Sequence, residues 1–283
     1  MEPHLVDPGT LYVVATPLGH LGDLSTRAAE VLRAVDAVAA EDTRRSRTLL
    51  QHIGATPRML AVHAHSEASQ ADPILALLRA GQSVALVTDA GTPGISDPGA
   101  RLVAAVRAGG CPVVPIPGAS AVATALSASG LPADRYLFLG FPARKGRERE
   151  SELARAASEP WAVVFYEAPP RLVALLRDLA GVCGPGRRAV VARELTKMHE
   201  EFRAGTLEEL SAWYTEHPPK GEITLVLEGA PVGSAAPPDP EALRAAAASL
   251  LAEGLTRKDV VRRLTESSGL GRNEVYRLVM ELP

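Results

Sequence analysis

The chain has 283 residues, of which 46% are hydrophobic and 22% are charged, so it is long and apolar enough to build a folded core. Its longest apolar runs fall short of the roughly 18 to 20 residues that cross a bilayer, and residues 1–9 lack the basic and apolar regions of a secretory signal. The net charge of −3 argues against nucleic-acid binding through bulk charge and leaves only local basic patches for that role.

Strands and helices alternate through the first half of the chain. The helix starts are marked by Asp72-Pro73 and Asp97-Pro98, with each aspartate as N-cap and each proline at the first helical position. Alternation of this kind predicts a largely parallel sheet that is covered on both faces. Strands are predicted at residues 10–15, 37–40, 59–62, 83–88 and 112–116, and helices near residues 25–34, 45–52, 73–81, 98–107 and 119–130.

After residues 117–130 strands and helices alternate again, with different spacings, which predicts a second α/β unit. Strands are predicted at residues 136–140, 162–166, 189–193 and 223–227, and helices near residues 147–158, 171–179 and 207–216. A linker rich in Ala, Pro, Gly and Ser follows at residues 230–239, and three further helices are predicted near residues 240–253, 257–267 and 272–282.

The expected fold class is therefore α/β, with two α/β domains of mostly parallel sheets and a small helical domain at the C-terminal end. We place the first domain at residues 9–117, the second at 118–229 and the helical domain at 240–283. The last two helices resemble a helix-turn-helix pair, although such pairs more often pack against each other than read nucleic acid.

The loop after the strand at residues 83–88 stands out from an ordinary turn. Gly91, Pro93 and Gly94 lie in it, whereas a plain strand-to-helix connection is usually about 2 to 6 residues long and needs few glycines. Ligands of open α/β sheets bind at the carboxyl ends of the strands, so this loop is predicted to border a ligand site.

Several familiar sites are excluded by the sequence. It contains no P-loop, no G-x-G-x-x-G after the first strand and no G-x-S-x-G elbow. His63 and His65 could form a metal pair, but no third ligand lies at a useful spacing, so we expect no metal site. Cys111 and Cys183 are far apart and form no C-x-x-C motif, which favours a cytoplasmic protein without disulfides.

Polar residues capable of chemistry follow four of the predicted strands. They are Glu41 with Asp42, Asp89, Tyr166 with Glu167, and Glu194 with Lys197. Because ligands collect at the carboxyl ends of strands, this recurrence predicts that the side chains share one site.

Seven segments, taken together, resemble the tetrapyrrole methylase superfamily, and within it the small-subunit (16S) rRNA cytidine 2′-O-methyltransferases. A single such motif would be weak, but seven in one order across residues 9–229 are specific. The segments are LYVVATPLGHLGDL (11–24), AEDTR (40–44), TDAGTPGISDPG (88–99), PGASA (117–121), FYEAPPR (165–171), ARELTK (192–197) and KGEITL (220–225).

The resemblance implies two α/β domains with S-adenosylmethionine in the cleft between them, a homodimer, and no metal or second cofactor; the product would be S-adenosylhomocysteine. In the superfamily a G-D-P-x-I loop takes the place of residues 91–95, so Thr92 stands where relatives carry an aspartate, and Asp89 or Asp97 could substitute. The residues carried over as cofactor-binding are Leu18, Asp89, Gly91, Thr92, Pro93, Ile95, Ser96, Asp97, Ser120, Ala121, Tyr166, Thr224 and Leu225.

The implied reaction is an in-line methyl transfer to a ribose 2′-hydroxyl near the ribosomal decoding centre. The nucleophile, the methyl carbon and the sulfur must be aligned, and a general base can contribute on the order of 10²–10⁴-fold. Glu41 and Asp42 are the first candidates for the base, ahead of Glu167 and Glu194, and Lys197 could lower the hydroxyl's pKa. Residues expected to contact the RNA are Arg44, Arg144, Lys145, Glu167 and Glu194.

Two other functions remain open at the level of sequence. One is a C- or N-methyltransferase that acts on a tetrapyrrole-like small molecule in the same cleft. The other is a non-catalytic assembly factor that binds ribosomal RNA through its arginines. Basic clusters at residues 44–47 and 144–149, together with the helical tail, favour RNA modestly.

Overall fold

The computed structural model describes residues 5–62, 67–231, 240–268 and 272–281. Five parallel strands form a first sheet in the order β3-β2-β4-β1-β5. The strands are β1 Leu11–Val14, β2 Ala37–Ala40, β3 Arg58–Ala61, β4 Val84–Val87 and β5 Val113–Ile116. The helices of this half are α1 Thr26–Ala34, α2 Thr43–His52, α3 Glu67–Arg79, α4 Ala100–Ala108 and α5 Ala121–Ser129. The parallel sheet predicted for the first half is thus confirmed.

Both faces of this sheet are covered because successive side chains point to opposite sides of a strand. In β1, Tyr12 and Val14 pack with α1 and α2, whereas Leu11 packs with α3 and α4 on the other face. This two-sided burial explains why the strands are continuous apolar runs without polar alternation.

Two predicted helix starts are wrong. Helix α3 begins at Glu67, so Asp72 and Pro73 lie inside it; Pro73 removes one backbone donor, and burial of Ile74 against the sheet offsets that loss. Helix α4 begins at Ala100 with Gly99 as N-cap, so Asp97 caps nothing. The chain turns at Gly99, where φ is 133°, and this turn separates Asp97 from the helix.

The second sheet is mixed, which corrects the expectation of mostly parallel strands in this half. Its order is β6-β7-β10-β8-β9; only β6 and β7 are parallel, and the other three pairs are antiparallel. The strands are β6 Tyr136–Gly140, β7 Ala162–Glu167, β8 Arg188–Arg193, β9 Glu201–Thr206 and β10 Ile223–Leu227. The helices are α6 Gly146–Ser158, α7 Leu172–Cys183 and α8 Leu207–Glu216.

Strand β9 was not predicted from the sequence. It follows β8 after only seven residues, which is too short a connection for a parallel crossover, so the two strands form an antiparallel hairpin. Its sequence, EFRAGT, lacks an apolar run because β9 lies at the edge of the sheet. Edge strands carry weaker hydrophobic patterns than central ones.

The chain passes from the first sheet to the second between β5 and α5. Helix α5 buries Val122, Ala125 and Leu126 against one face of the second sheet, together with Leu18 from the first unit. Helices α6, α7 and α8 cover the other face around Phe165. The loop after β1 and the helix after β5 therefore both pack onto the second unit.

The C-terminal helices α9 Pro240–Ala252, α10 Arg257–Ser268 and α11 Arg272–Met280 have a small core of their own, which includes Ala247, Val260 and Val275. Thr256 begins α10, because its hydroxyl oxygen accepts a hydrogen bond from the Asp259 amide at 3.2 Å. The predicted linker and the predicted turn at residues 268–271 lie mostly outside the described residues. Within the described ranges, no helix is long and apolar enough to cross a membrane.

We expect Leu176→Ala to lower the free energy of unfolding by about 2–5 kcal/mol, because Leu176 is fully buried in the core between α7 and the second sheet. Val182→Ala is the matched control on the same helix, since Val182 is exposed; its effect should stay within about 0.5 kcal/mol. Urea unfolding followed by circular dichroism measures both. Equal effects of the two variants would contradict this core assignment.

Candidate functional site

A cavity of about 310 Å³ lies between the two units, at the carboxyl ends of the first sheet's strands. Most of the predicted cofactor residues line it, namely Leu18, Asp89, Gly91, Thr92, Ile95, Ser96, Asp97, Ser120, Ala121, Tyr166 and Thr224. Residues that sequence reasoning missed also line it: Ala90, Phe141, Ala168, Pro169, Leu195, Gly221, Glu222 and Ile223. The structure therefore brings together segments that are far apart in the chain.

The loop after β1 and the loop after β4 hold each other through an antiparallel backbone bridge. The Thr16 amide donates to the Gly91 carbonyl at 2.8 Å, and the Gly91 amide donates back to the Thr16 carbonyl at 3.0 Å. The Thr16 hydroxyl donates to the Thr88 carbonyl at 3.0 Å. Gly91 has a φ of 85°, which a residue with a side chain rarely adopts.

Thr92, which stands where relatives carry an acid, ties this loop to the start of α5. Its hydroxyl donates to the Ala119 carbonyl at 3.2 Å. Ser120 then caps α5, with its side-chain oxygen accepting from the Ala123 amide at 3.5 Å. Because Ser120 and Ala121 line the cavity, the N-terminal end of α5, which favours anionic groups, borders it.

An aromatic wall closes the side of the cavity that the second unit supplies. Tyr166 contacts Phe138 and Phe141, with ring centroids 4.9 and 5.5 Å apart, and it pairs with Thr224 across β7 and β10. Burial raises the pKa of Tyr166 to about 12, so its hydroxyl stays protonated at neutral pH and can donate a hydrogen bond. Phe141, whose ring is exposed, comes directly after β6. An aromatic residue at the end of a predicted strand is the sequence feature that could have identified it as a site residue.

Two predicted cofactor residues do not line the cavity. Leu225 is fully buried among α7 and α8, because its side chain points to the opposite face of the sheet from that of Thr224. Pro93 is buried inside its loop, close to the position a side chain at Gly99 would take. Neither side chain is among those that border the cavity.

Glu167 borders the cavity, but its carboxylate is held within the protein. The side chain is inaccessible to solvent, pairs with Arg171 at 3.0 Å and accepts from the Ala168 amide at 2.8 Å. Burial raises its pKa, against the opposing effects of the Ala168 amide and the charge of Arg171. These contacts indicate a structural role for a residue predicted to contact substrate.

The predicted catalytic pair Glu41 and Asp42 does not line the cavity. Asp42 caps α2, accepting from the Arg44 amide at 2.8 Å and binding the Arg44 guanidinium at 3.2 Å. The hydrogen bonds from Arg44 lower the pKa of Asp42, which makes it a weaker base. The same pairing engages Arg44, which was predicted to contact RNA.

Asp89 does line the cavity, in contact with α2. Its carboxylate pairs with Arg45 at 3.2 Å and accepts from the Asp42 amide at 3.3 Å. Asp89 therefore links the loop after β4 to the segment after β2.

Lys197 joins two carboxylates beside the cavity without lining it. Its ammonium group lies 2.9 Å from Glu194 and 3.1 Å from Glu222, and the Glu222 amide donates to Glu194 at 2.9 Å. Burial acts to lower the pKa of Lys197, but the hydrogen bond to Glu194 and the charge of Glu222 outweigh it and raise the pKa. Glu222, within the segment 220–225, is the member of this group that borders the cavity.

The Lys197 segment also contacts the loop after β1. The His20 amide donates to the Thr196 hydroxyl at 3.1 Å, and a side chain at Gly19 would collide with the Lys197 chain. Thr196 has a φ of 62°, so this turn holds an unfavourable backbone conformation where the two units meet.

The predicted basic cluster at the start of α6 divides into two parts. Arg144 and Lys145 are exposed and do not line the cavity. Arg149 is buried and binds Asp178 at 2.6 Å and the Ala143 carbonyl at 2.9 Å, which fixes α6 to α7. Only the first part is accessible to a partner.

Asp97 projects to the cavity instead of capping α4. Burial raises its pKa to about 6; the hydroxyl of Thr88 acts in the opposite direction, and the charges of Glu41, Asp89 and Glu222 raise the pKa further. A group with this pKa changes its protonation state near neutral pH, unlike an ordinary surface carboxylate.

The described residues contain no cluster of three or more His, Cys, Asp or Glu side chains that could hold a metal ion. His63 and His65 lie outside the described residues. Cys111 and Cys183, both within the described part of the chain, are free thiols.

Comparison with known proteins identifies the family. The profile described as Tetrapyrrole (Corrin/Porphyrin) Methylases matches residues 10–211. A Synechocystis protein named Ribosomal RNA small subunit methyltransferase I is 48% identical over 97% of this chain and 98% of its own length. The protein of that name from Escherichia coli O157:H7 is 44% identical over 96% of this chain and 95% of its own.

Solved structures of the same fold are more distant in sequence. Uroporphyrin-III-C-methyltransferase from Thermus thermophilus has a TM-score of 0.58 at 21% identity, over 77% of this chain and 94% of that one. A cobalt precorrin-4 methyltransferase has a TM-score of 0.61 at 16% identity, over 78% of this chain and 95% of that one. The profile covers most of the chain and the relatives cover nearly all of it, so the chain belongs to the tetrapyrrole (corrin/porphyrin) methylase family, as the sequence motifs predict.

Proposed function

We propose that the protein uses S-adenosylmethionine to methylate the ribose 2′-hydroxyl of a cytidine in 16S ribosomal RNA, near the decoding centre. The observation that carries this proposal is the convergence of six of the seven motif segments on one cavity between the two units. Relatives that align over almost the whole chain at 41–48% identity are named Ribosomal RNA small subunit methyltransferase I. The name of those relatives supports the RNA substrate.

The residues around the cavity fit S-adenosylmethionine. Its volume of about 310 Å³ is in the range of small-molecule sites. The wall formed by Phe141, Tyr166 and Leu195 suits an adenine ring, and the N-terminal end of α5 suits the carboxylate of the methionine part. When bound, this cofactor supplies an electrophilic methyl group.

The fold also supports this choice of cofactor. A Thermus thermophilus uroporphyrin-III C-methyltransferase with a TM-score of 0.57 was solved in complex with S-adenosylhomocysteine, the product that the proposed reaction would leave. Its 19% identity to this chain makes it a guide to the fold, and the fit of the cofactor rests on the residues above.

Contacts to RNA phosphates belong outside the cavity. Carboxylates border the cavity and repel phosphate, whereas Arg144 and Lys145 are exposed at the start of α6. The target ribose would then enter the cavity while its flanking phosphates stay on the surface. We further propose that the C-terminal helices contribute to the RNA-binding surface.

The second candidate is methylation of a tetrapyrrole-like small molecule. The family profile and the names of the solved structures favour it, but those structures are only 16–21% identical to this chain. The RNA methyltransferase relatives are far more similar, so we rank RNA first. A non-catalytic assembly factor is the third candidate. The homodimer and the cytoplasmic location stay predictions that rest on the resemblance and the sequence.

We expect purified protein, labelled S-adenosylmethionine and small subunits from a methylation-deficient strain to give label in 16S RNA. Nucleoside mass spectrometry should place the methyl group on the ribose of a cytidine. Intact subunits that already carry the modification are the control and should accept little label. Label in a porphyrinoid, or none in RNA, would contradict the proposal.

We expect Thr92→Val to weaken S-adenosylmethionine binding about fivefold, because it removes the hydrogen bond from Thr92 to the Ala119 carbonyl, worth about 1 kcal/mol. Ser127→Ala is the matched control, since it removes a hydroxyl-to-carbonyl bond on α5 away from the cavity. Isothermal titration calorimetry measures both affinities. Unchanged affinity in Thr92→Val would show that cofactor binding does not depend on the hydrogen bond from Thr92 to Ala119.

Deletion of residues 236–283 should weaken RNA methylation while leaving cofactor affinity intact. The expectation follows because α9, α10 and α11 have a core of their own and lie beyond the segment that matches the family profile. Calorimetry with the cofactor and methylation of small subunits provide the two readouts. If the deletion lowers both cofactor affinity and RNA methylation, the C-terminal helices are needed for the structure of the protein and this prediction is wrong.

A further inference from the structure

Four acidic residues border the cavity, and three of them are paired with a basic side chain. Asp89 pairs with Arg45 at 3.2 Å, Glu222 with Lys197 at 3.1 Å and Glu167 with Arg171 at 3.0 Å. Asp97 is the fourth, and it makes no ion pair with any residue that the structure describes. Its carboxylate is therefore the one whose charge a neighbouring cation does not compensate.

The backbone around Asp97 is built to turn this side chain away from α4 and toward the cavity. Ser96 has a φ of 58°, and Gly94 and Gly99, at 82° and 133°, flank the turn. The Gly94 amide closes the loop by donating to the Pro98 carbonyl at 3.2 Å. A non-glycine residue in this conformation is unfavourable, and such strain is concentrated at functional sites.

The second unit approaches the same turn. A side chain at Gly140, the last residue of β6, would come within 3.1 Å of the Ser96 hydroxyl oxygen. Asp97 and Tyr166 both border the cavity; burial raises the pKa of Tyr166, and the charge of Asp97 raises it further. Asp97 therefore sits where the first unit faces the aromatic wall of the second.

We propose that Asp97 accepts the proton of the ribose 2′-hydroxyl during methyl transfer. The proposal rests on the proposed function and adds the residue that acts as general base. As the ribose oxygen bonds to the methyl carbon, the carbon–sulfur bond breaks and its electron pair stays on sulfur. The hydroxyl proton passes to the Asp97 carboxylate, which later releases it to water.

The other candidates for the base fit this role less well. Asp42 lies outside the cavity and binds Arg44, and Glu41 does not border the cavity either. Glu194 and Glu167 are each held in an ion pair, with Lys197 at 2.9 Å and with Arg171 at 3.0 Å. The raised pKa of Asp97, about 6, agrees with the geometry, because a base is most effective when its pKa lies near the working pH.

The test is Asp97→Asn in the full chain, which keeps the shape of the side chain and removes its basicity. At saturating cofactor we expect methyl transfer to RNA to fall by about 10²–10⁴-fold. Affinity for S-adenosylmethionine by calorimetry should stay within about twofold if Asp97 acts in proton transfer and does not hold the cofactor. Asp134→Asn, which removes an exposed charge away from the cavity, is the matched control and should keep wild-type activity.

The pH profile gives a second readout. The wild-type rate should rise with pH through about 6 and then level, as Asp97 loses its proton. The residual activity of Asp97→Asn should lack this rise. A wild-type profile without the rise would contradict the proposal.

Folding stability separates lost chemistry from misfolding. The pKa of Asp97 is raised from 3.8 in the unfolded chain to about 6, so the folded state binds the proton more tightly. Its contribution to stability is therefore greatest below pH 4 and is lost as the pH rises to 6. Asp97→Asn should unfold at pH 7.5 with a free energy equal to or above that of the wild type.

Each outcome distinguishes this proposal from the proposed function. An active wild type with an equally active Asp97→Asn overturns the role of Asp97 alone. A loss of cofactor affinity in proportion to the loss of rate assigns Asp97 to cofactor binding, as the sequence predicts, and also overturns it. A wild type that methylates no RNA overturns the proposed function, and this proposal with it.

Discussion

The backbone bridge between Thr16 and Gly91 is the contact on which the cavity depends. It fixes the loop after β1 against the loop after β4 through two hydrogen bonds, and Thr92 extends the same chain of contacts to Ala119 at the start of α5. Because α5 packs on the second sheet, this loop cluster also positions the second unit. Backbone atoms form this bridge, so the side chains around it remain available to contact a ligand.

The distribution of charge around the cavity follows from the same arrangement. Arg45, Lys197 and Arg171 each pair with one carboxylate that borders the cavity. The first two pairs join segments that are distant in the chain, whereas Arg171 and Glu167 are only four residues apart. A nearby cation stabilises the charged form of a carboxylate, so these pairs allow acidic side chains to line a partly buried site. Asp97 stands apart, because the loop that presents it turns at Ser96 and Gly99. Burial raises its pKa, and the charges of three other carboxylates raise it further.

The C-terminal helices have a core that is separate from the part of the chain that lines the cavity. The family profile matches residues 10–211, which include the first sheet and all of the second sheet except β10. Helices α9, α10 and α11 follow with a separate core. One scaffold can thus carry different substrates when the surfaces around a common cavity change.

The sequence by itself determined the first sheet, most of the helices, the family and the segments that line the cavity. Strands buried on both faces are continuous apolar runs, and many of their ends carry glycine-rich loops. Both features can be recognised in the sequence without knowledge of the tertiary structure. Only the tertiary structure decided the direction of the strands in the second sheet, the edge strand β9, and which carboxylates are paired. Strand direction depends on long-range partners, and the state of Asp89, Lys197 or Asp97 depends on a neighbour distant in the chain or on a backbone turn. Local residue pattern does not encode either of these. The sequence therefore predicts Asp97 as a helix cap, whereas its loop places it at the cavity.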